Sequence, residues 1–140
     1  MDRKNEVGIA ALSSIFKALS DETRLKILCL LRLKPLCVCE IMGALDITQT
    51  KTSRHLIYMK NAGLLESSKE DRWVVYRIRD ELPPGLEAIL EEVIHLVEES
   101  GEIEAEKRRL KVILKQESIY RQTFEKSSGR APKIPGGCPF

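Results

Sequence analysis

The sequence predicts a mainly α fold with a small β-hairpin, and three observations carry that prediction. Apolar residues recur at helical spacing through most of the chain, two strand-like runs flank one polar turn, and few glycines or prolines interrupt the first two thirds. At 140 residues the chain suits one compact domain with an appended element. The expected division is a folded unit over 1–116 and a flexible carboxy-terminal tail over 117–140, where Ser, Gly and Pro dominate from Ser127 onward.

The first helix is expected from about Glu6 to Leu19, because Ile9, Leu12, Ile15 or Phe16, and Leu19 share a face. Ser20 is read as the cap of a second helix, with Asp21 and Glu22 at its positive end, Arg32 and Lys34 at its negative end, and Pro35 ending it near Leu33. Val38, Ile41, Met42 and Leu45 make a short third helix whose start lacks a Ser, Thr, Asp or Asn cap. Asp46-Ile47 turns the chain. Thr48 caps a fourth helix that runs to about Ala62, with Leu56 and Met59 inward and Gly63 as a left-handed stop. Two short helices joined by a tight turn have helix-turn-helix geometry.

Leu64–Ser68 and Trp73–Arg79 then read as strands around Lys69-Glu70-Asp71-Arg72, so a hairpin, or wing, follows the helix pair. Within it Trp73 is expected to pack on the core, and Tyr76 is left between core and surface. After Pro83-Pro84 a long helix starts near Gly85 on the stripe Leu86, Ile89, Leu90, Val93, Leu96 and Val97. It either continues through Ile103, Leu110 and Leu114 or breaks at Ser100-Gly101. A stripe this long needs a partner surface, which makes the first and last helices the expected homodimer contact. The whole is a winged helix-turn-helix.

Composition narrows the function classes. No apolar run approaches the ~20 residues that cross a bilayer, so no membrane span is expected. Arg3 and Lys4 ahead of Val7–Phe16 resemble a signal peptide only superficially, since Ser13, Ser14 and Lys17 interrupt the stretch and no small-residue cleavage site follows. Cys37 and Cys39 are too close for an ordinary structural bridge, and four cysteines in 140 residues are too few for a secreted disulfide scaffold. Reduced thiols and a cytoplasmic location are expected. Net charge is only +2, but it is unevenly spread: no Lys or Arg falls between Arg79 and Lys107, whereas Lys51–Arg79 is mostly positive. A polyanion would meet the second region and avoid the first.

The fourth helix offers the groups that read DNA. Gln49, Thr50, Ser53, Arg54 and Tyr58 share a broad face bordered by Lys51 and His55, and they supply amide, hydroxyl and guanidinium groups for bases and phosphates. Arg54 is the first candidate for a guanine or phosphate contact, followed by Gln49 and Ser53; Thr48 opens the helix, His55 is read as support, and Arg72 at the wing tip reaches a neighbouring phosphate. Just ahead lie Cys37 and Cys39. Two thiols so placed suit a soft ion, yet helical residues are ~100° apart, so positions i and i+2 do not meet without distorting the helix start. The helix dipole and Lys34 are expected to favour thiolate there, with Glu40 opposing. Cys29, among Ile27, Leu28, Leu30 and Leu31, is read as a buried structural thiol.

In order along the chain, Leu36-Cys37-Val38-Cys39-Glu40, Thr48-Gln49, Ser53-Arg54-His55-Leu56, Ala62-Gly63-Leu64-Leu65 and Arg72-Trp73-Val74-Val75-Tyr76-Arg77 resemble the ArsR/SmtB family of winged-helix repressors. The resemblance covers roughly Ala10 to Val97. It implies a homodimer that binds double-stranded operator DNA and is released by a metal inducer, with As(III) or Sb(III) the type whose members resemble this Cys-Val-Cys segment. That type normally has a third cysteine three residues later, where this chain has Met42. A distant Cys138, from the same chain or its partner, or water is then left to complete the site.

Other readings share parts of the same pattern. A cadmium- or lead-responsive branch shares Cys-Val-Cys but adds cysteines from the amino-terminal segment, and none precedes Cys29 here. A zinc-responsive branch resembles His95-Leu96-Val97-Glu98 in one half of its site, but Leu82 and Pro84 occupy the other. A thiol-redox repressor would oxidise the same cysteines. A purely structural dimer would use the acidic helix and ignore DNA. An enzyme is not expected, for no phosphate loop, catalytic metal motif or nucleophile elbow is present.

Overall fold

The structure is a computed structural model that describes residues 7–125. Its elements run α1 (Ile9–Leu19), α2 (Glu22–Leu33), β1 (Leu36–Cys37), α3 (Val38–Leu45), α4 (Gln49–Asn61), β2 (Leu65–Glu70), β3 (Trp73–Ile78), α5 (Pro84–Ser100) and α6 (Glu104–Glu125). The helix-turn-helix is α3 and α4; the wing is β2 and β3.

Helix starts follow local hydrogen bonding. Ser20 is not the cap of α2, as its spacing predicts: Asp21 takes that place, and its carboxylate accepts from Arg24 N at 3.0 Å. Ser20 instead closes α1, its hydroxyl donating to Lys17 O at 2.9 Å. The reason is backbone direction. Asp21 has the extended conformation of a cap, and its shorter reach to Arg24 N satisfies a donor that Ser20 would leave open.

Helix α2 lies at the centre of the fold. Five consecutive residues, Ile27 to Leu31, are buried, so the helix is covered on every side rather than along one stripe. It touches α1, α3, α4, α5 and β3. Cys29 is fully buried there, its thiol against Ile94 O at 3.8 Å, and burial pushes its pKa up to about 11, as expected of a structural thiol.

The sheet has three antiparallel strands in the order β1-β3-β2. The hairpin register runs from Leu65 opposite Ile78 to Glu70 opposite Trp73, with Asp71 in the left-handed region at φ 56° in the turn. Tyr76 is buried and Trp73 half-buried. Strand β1 is only Leu36 and Cys37, paired with Tyr76 and Val75. Sequence pattern does not reveal it, because two residues carry no period and the pairing partner lies almost 40 positions away.

The last apolar stripe is split. Gly101 is left-handed at φ 76° and closes α5, and α6 turns back to lie along α3. Ile103 and Leu110 are buried; Arg109 Nε donates to Ala44 O at 2.8 Å; Lys26 pairs with Glu106 at 2.9 Å. The expected boundary between 116 and 117 falls inside α6, which continues to Glu125. Ile9 and Phe16 on α1 and Leu96 on α5 remain exposed, leaving apolar surface on the helices that the sequence assigns to dimer contact.

Candidate nucleic-acid interface and thiol centre

The reading surface is built from the start of α4. Asp46 ends α3 in the left-handed conformation at φ 55°, and Thr48 caps α4 with its hydroxyl accepting from Lys51 N at 3.2 Å. Thr52 donates back to Thr48 O at 2.8 Å and is fully buried. With Leu56 and Met59 also buried, the inner face of α4 is anchored, and Thr50, Lys51 and Arg54 are forced outward.

Gln49, Thr50, Ser53, Arg54 and Ile57 line one shallow depression on the exposed side. Ile57 is a residue that sequence reading missed. It is half exposed, seven positions beyond Thr50 and four beyond Ser53, and that helical spacing was the available signal. An apolar contact among polar groups suits a thymine methyl.

His55 and Tyr58 are placed elsewhere, on the side of α4 that meets α2. Arg24 stacks on the Tyr58 ring, 4.4 Å from its centroid, and hydrogen-bonds His55 Nδ1 at 3.3 Å. The same guanidinium donates to Ala18 O at 2.7 Å and Lys17 O at 3.3 Å, so it ties the end of α1 to α4. Burial pulls the His55 pKa down; the Asp21 carboxylate opposes this, while Arg24, Lys51 and Arg54 add to it. Because the Arg24 guanidinium can only donate, His55 Nδ1 is the acceptor of that bond. His55 thus faces Arg24 of α2. Arg72 is exposed at the wing tip, beside Asp71. Farther along, His95 is exposed and pairs with Glu99 at 3.0 Å, as a surface residue does.

The thiol centre sits where β1 becomes α3. Cys37 is itself the helix cap: its backbone is extended, its side chain accepts from Glu40 N, and its own N–H donates to Glu40 Oε1 at 2.8 Å. This is a capping box with cysteine in the usual Ser or Thr place. The absence of an ordinary capping residue hid it, although Cys-x-x-Glu has the spacing. Cys37, Val38, Cys39 and Glu40 are all buried, and Met42 is half-buried. Cys138 lies outside the described residues.

The expected thiolate at Cys37 is overturned. Burial pushes its thiol up to about 12, and the neighbouring carboxylates of Glu40 and Glu117 push the same way. The backbone N–H of Glu40 at the helix start draws it down without compensating, and Lys34 is at the surface while Cys37 is 7% exposed. Glu117 is the second residue that sequence reading missed. It comes from α6, 80 positions away, and its carboxylate, that of Glu40 and Cys37 Sγ all lie within 4.8 Å of one another. No local pattern signals that meeting.

Comparison with known proteins agrees with this architecture. Residues 21–67 match the family described as "Bacterial regulatory protein, arsR family". The arsenic resistance transcriptional regulator ArsR1 of Pseudomonas putida is 41% identical over 81 residues, which are 57% of this chain and 63% of that protein, a little under two thirds of its length. The arsenical resistance operon repressor of Escherichia coli is 46% identical over 79 residues, 56% of this chain and 68% of that one. Among solved structures, the homodimeric winged helix-turn-helix DNA-binding domain Mb0332 of Mycobacterium bovis superposes with a TM-score of 0.53 at 26% identity, covering 67% of this chain and 81% of that one. Helix pair, wing and identity to the Escherichia coli repressor together place the chain in the arsR family of bacterial regulatory proteins.

Proposed function

We propose that this chain is a homodimeric repressor that holds operator DNA through α4 and the wing and lets go when trivalent arsenic or antimony binds Cys37 and Cys39. The observation that carries the reading is the position of Cys37. It caps α3, it ends the strand paired to the wing, and α3 leads through only Asp46, Ile47 and Thr48 into α4. Anything that recruits its sulfur competes with the cap. Losing a cap costs about 1 kcal/mol, within the ~1–3 kcal/mol of an ordinary allosteric coupling.

Cys39 is disulfide-bonded in the structure; once that bond is reduced, it and Cys37 are two buried sulfurs at the head of one helix, which fits the preference of a soft ion for sulfur over oxygen donors. When bound, such an ion supplies strong bonds to thiolate. Cys37 is extended and Cys39 is in the first helical turn, so a shared guest draws together two groups whose backbone directions differ. Cys138 is the proposed third sulfur. Exposed apolar residues of α1 and α5 are the proposed dimer contact, and the homodimeric state of the Mycobacterium bovis domain supports a dimer. Among the described residues no helix is long and apolar enough to cross a membrane.

On DNA, Gln49, Thr50, Ser53 and Arg54 are the proposed groove contacts, with Thr48 and Lys51 toward the backbone, Arg72 on an adjacent phosphate, and His55 and Tyr58 as supports. Arg54→Ala is expected to weaken operator binding by about 1–3 kcal/mol and to relax discrimination at one base position. Arg72→Ala should instead weaken all sequences alike and lower the salt slope by about 1. Anisotropy titrations over a salt series distinguish the two; equal losses on operator and random DNA for Arg54→Ala would rule out its base contact.

The inducer is tested with reduced protein, kept free of oxygen, on labelled operator DNA. Arsenite or antimonite is expected to lower affinity by about 5–150-fold, and the Cys37→Ser/Cys39→Ser protein to bind DNA and stay bound. Release of that double variant by arsenite rejects the reading. Release by cadmium or lead alone selects the other metal class, and peroxide-driven release without any metal response selects a redox switch.

A further inference from the structure

Helix α6 runs antiparallel along α3 and meets it at three levels. Arg109 holds Ala44 O near the end of α3; Ile113 Cδ1 stands where a Cβ on Gly43 would be, 2.7 Å away; and Glu117 arrives beside Cys37 and Glu40 at the start. The spacing 109, 113, 117 is one helical stripe, so a single face of α6 makes all three contacts. Its last member is a carboxylate. That is an unexpected choice for a packing stripe, since it adds a third potentially anionic group to a thiol and a carboxylate that are both buried.

The three donors stand close enough together to be bridged by one cation. One sulfur and two carboxylate oxygens, all within 4.8 Å, are the donor types that zinc accepts; around a tetrahedral ion with bonds of ~2.0–2.3 Å donors lie ~3.4–3.8 Å apart, so small side-chain rotations suffice. Two oxygens make the set too hard for a trivalent arsenic preference and suit a borderline divalent ion. We propose that Cys37, Glu40 and Glu117 form a binding site for a divalent cation of the zinc and cadmium class, which fastens α6 to the head of α3. The site uses one sulfur of the inducer pair and not the other, and Glu117 lies beyond residues 21–67 that match the family. It stands independently of the inducer reading. An ion there ties the head of α3 to α6, and an inducer on Cys37 and Cys39 would have to displace it.

The test is a titration of the full, reduced chain with cadmium ion alone, followed by the near-ultraviolet band of a cadmium–sulfur bond and by thermal melting. Native protein and Cys39→Ser are expected to show the band and a raised Tm. Cys37→Ser should lose both, and Glu117→Gln should bind at least about ten-fold more weakly with little change in its metal-free Tm. Unchanged cadmium affinity in Glu117→Gln overturns the proposal, as does equal loss in Cys39→Ser and Cys37→Ser, which would assign the ion to the sulfur pair. Arsenite release from DNA separates the two readings: Glu117→Gln should retain it and Cys39→Ser should lose it, whatever cadmium does.

Discussion

Leu56→Ala is expected to lower the unfolding free energy by about 2–5 kcal/mol. Leu56 is fully buried in the core, on the inner face of α4 with Thr52 and Met59. Truncation removes transfer free energy and leaves a cavity that α4 cannot fill, because Thr48 and Thr52 pin its first turn. Domains of this kind are stable by only about 5–15 kcal/mol, so the loss is a large share of the total. Ile57→Ala, one residue along and half exposed, is the control; it should change the unfolding free energy from urea denaturation by no more than about 0.5 kcal/mol. Similar costs for the two variants would mean that α4 does not seat as described.

Alkaline instability is the second large effect. Two buried thiols, Cys29 and Cys37, hold their protons to about 11 and about 12, against an ordinary value of 9.0. Burial is the main cause for both. Glu98 adds to it at Cys29, where Lys107 opposes, and Glu40 and Glu117 add to it at Cys37. A raised native pKa means that this stabilisation is complete below pH 9 and is lost as pH rises toward the native values, since only the unfolded chain sheds protons there. Each thiol costs about 1.4 kcal/mol per pH unit in that window. Unfolding free energies from urea denaturation at about pH 8 and about pH 10 should therefore differ by roughly 2–3 kcal/mol, and Cys29→Ala/Cys37→Ser should remove most of the difference. An unchanged pH slope in the double variant would refute the burial of these thiols.

Much of the helix-turn-helix is legible in one dimension. Thr48 with its following apolar spacing marks the start of α4, Gly63 marks its end, and Leu56 and Met59 identify its buried side, because a helix repeats every 3.6 residues and its ends expose predictable donors. The polar groups of Gln49, Ser53 and Arg54 follow from the same periodicity. Ile57 has the same spacing, but an apolar side chain on a polar face carries no donor or acceptor to mark it.

The thiol centre was legible only in part. Two sulfurs at the head of α3 are evident from their spacing to the reading helix, but their chemistry is not, since a pKa depends on what surrounds the group in space. Lys34 is three residues from Cys37 and stays at the surface; Glu117 is 80 residues away and lies beside it. Proximity in sequence suggested a thiolate, and burial among carboxylates yields a protonated thiol.

By itself, then, the amino-acid order determined the family, the helix pair, the wing and the outward residues of α4, all of which depend on short-range periodicity and local caps. Only the tertiary structure decided that α6 folds back along α3, that β1 joins Cys37 to the wing, and that Arg24 holds His55 and Tyr58. Those contacts join residues 31 to 80 positions apart, and their energies come from desolvation and shape match between elements, quantities that no local window of sequence contains.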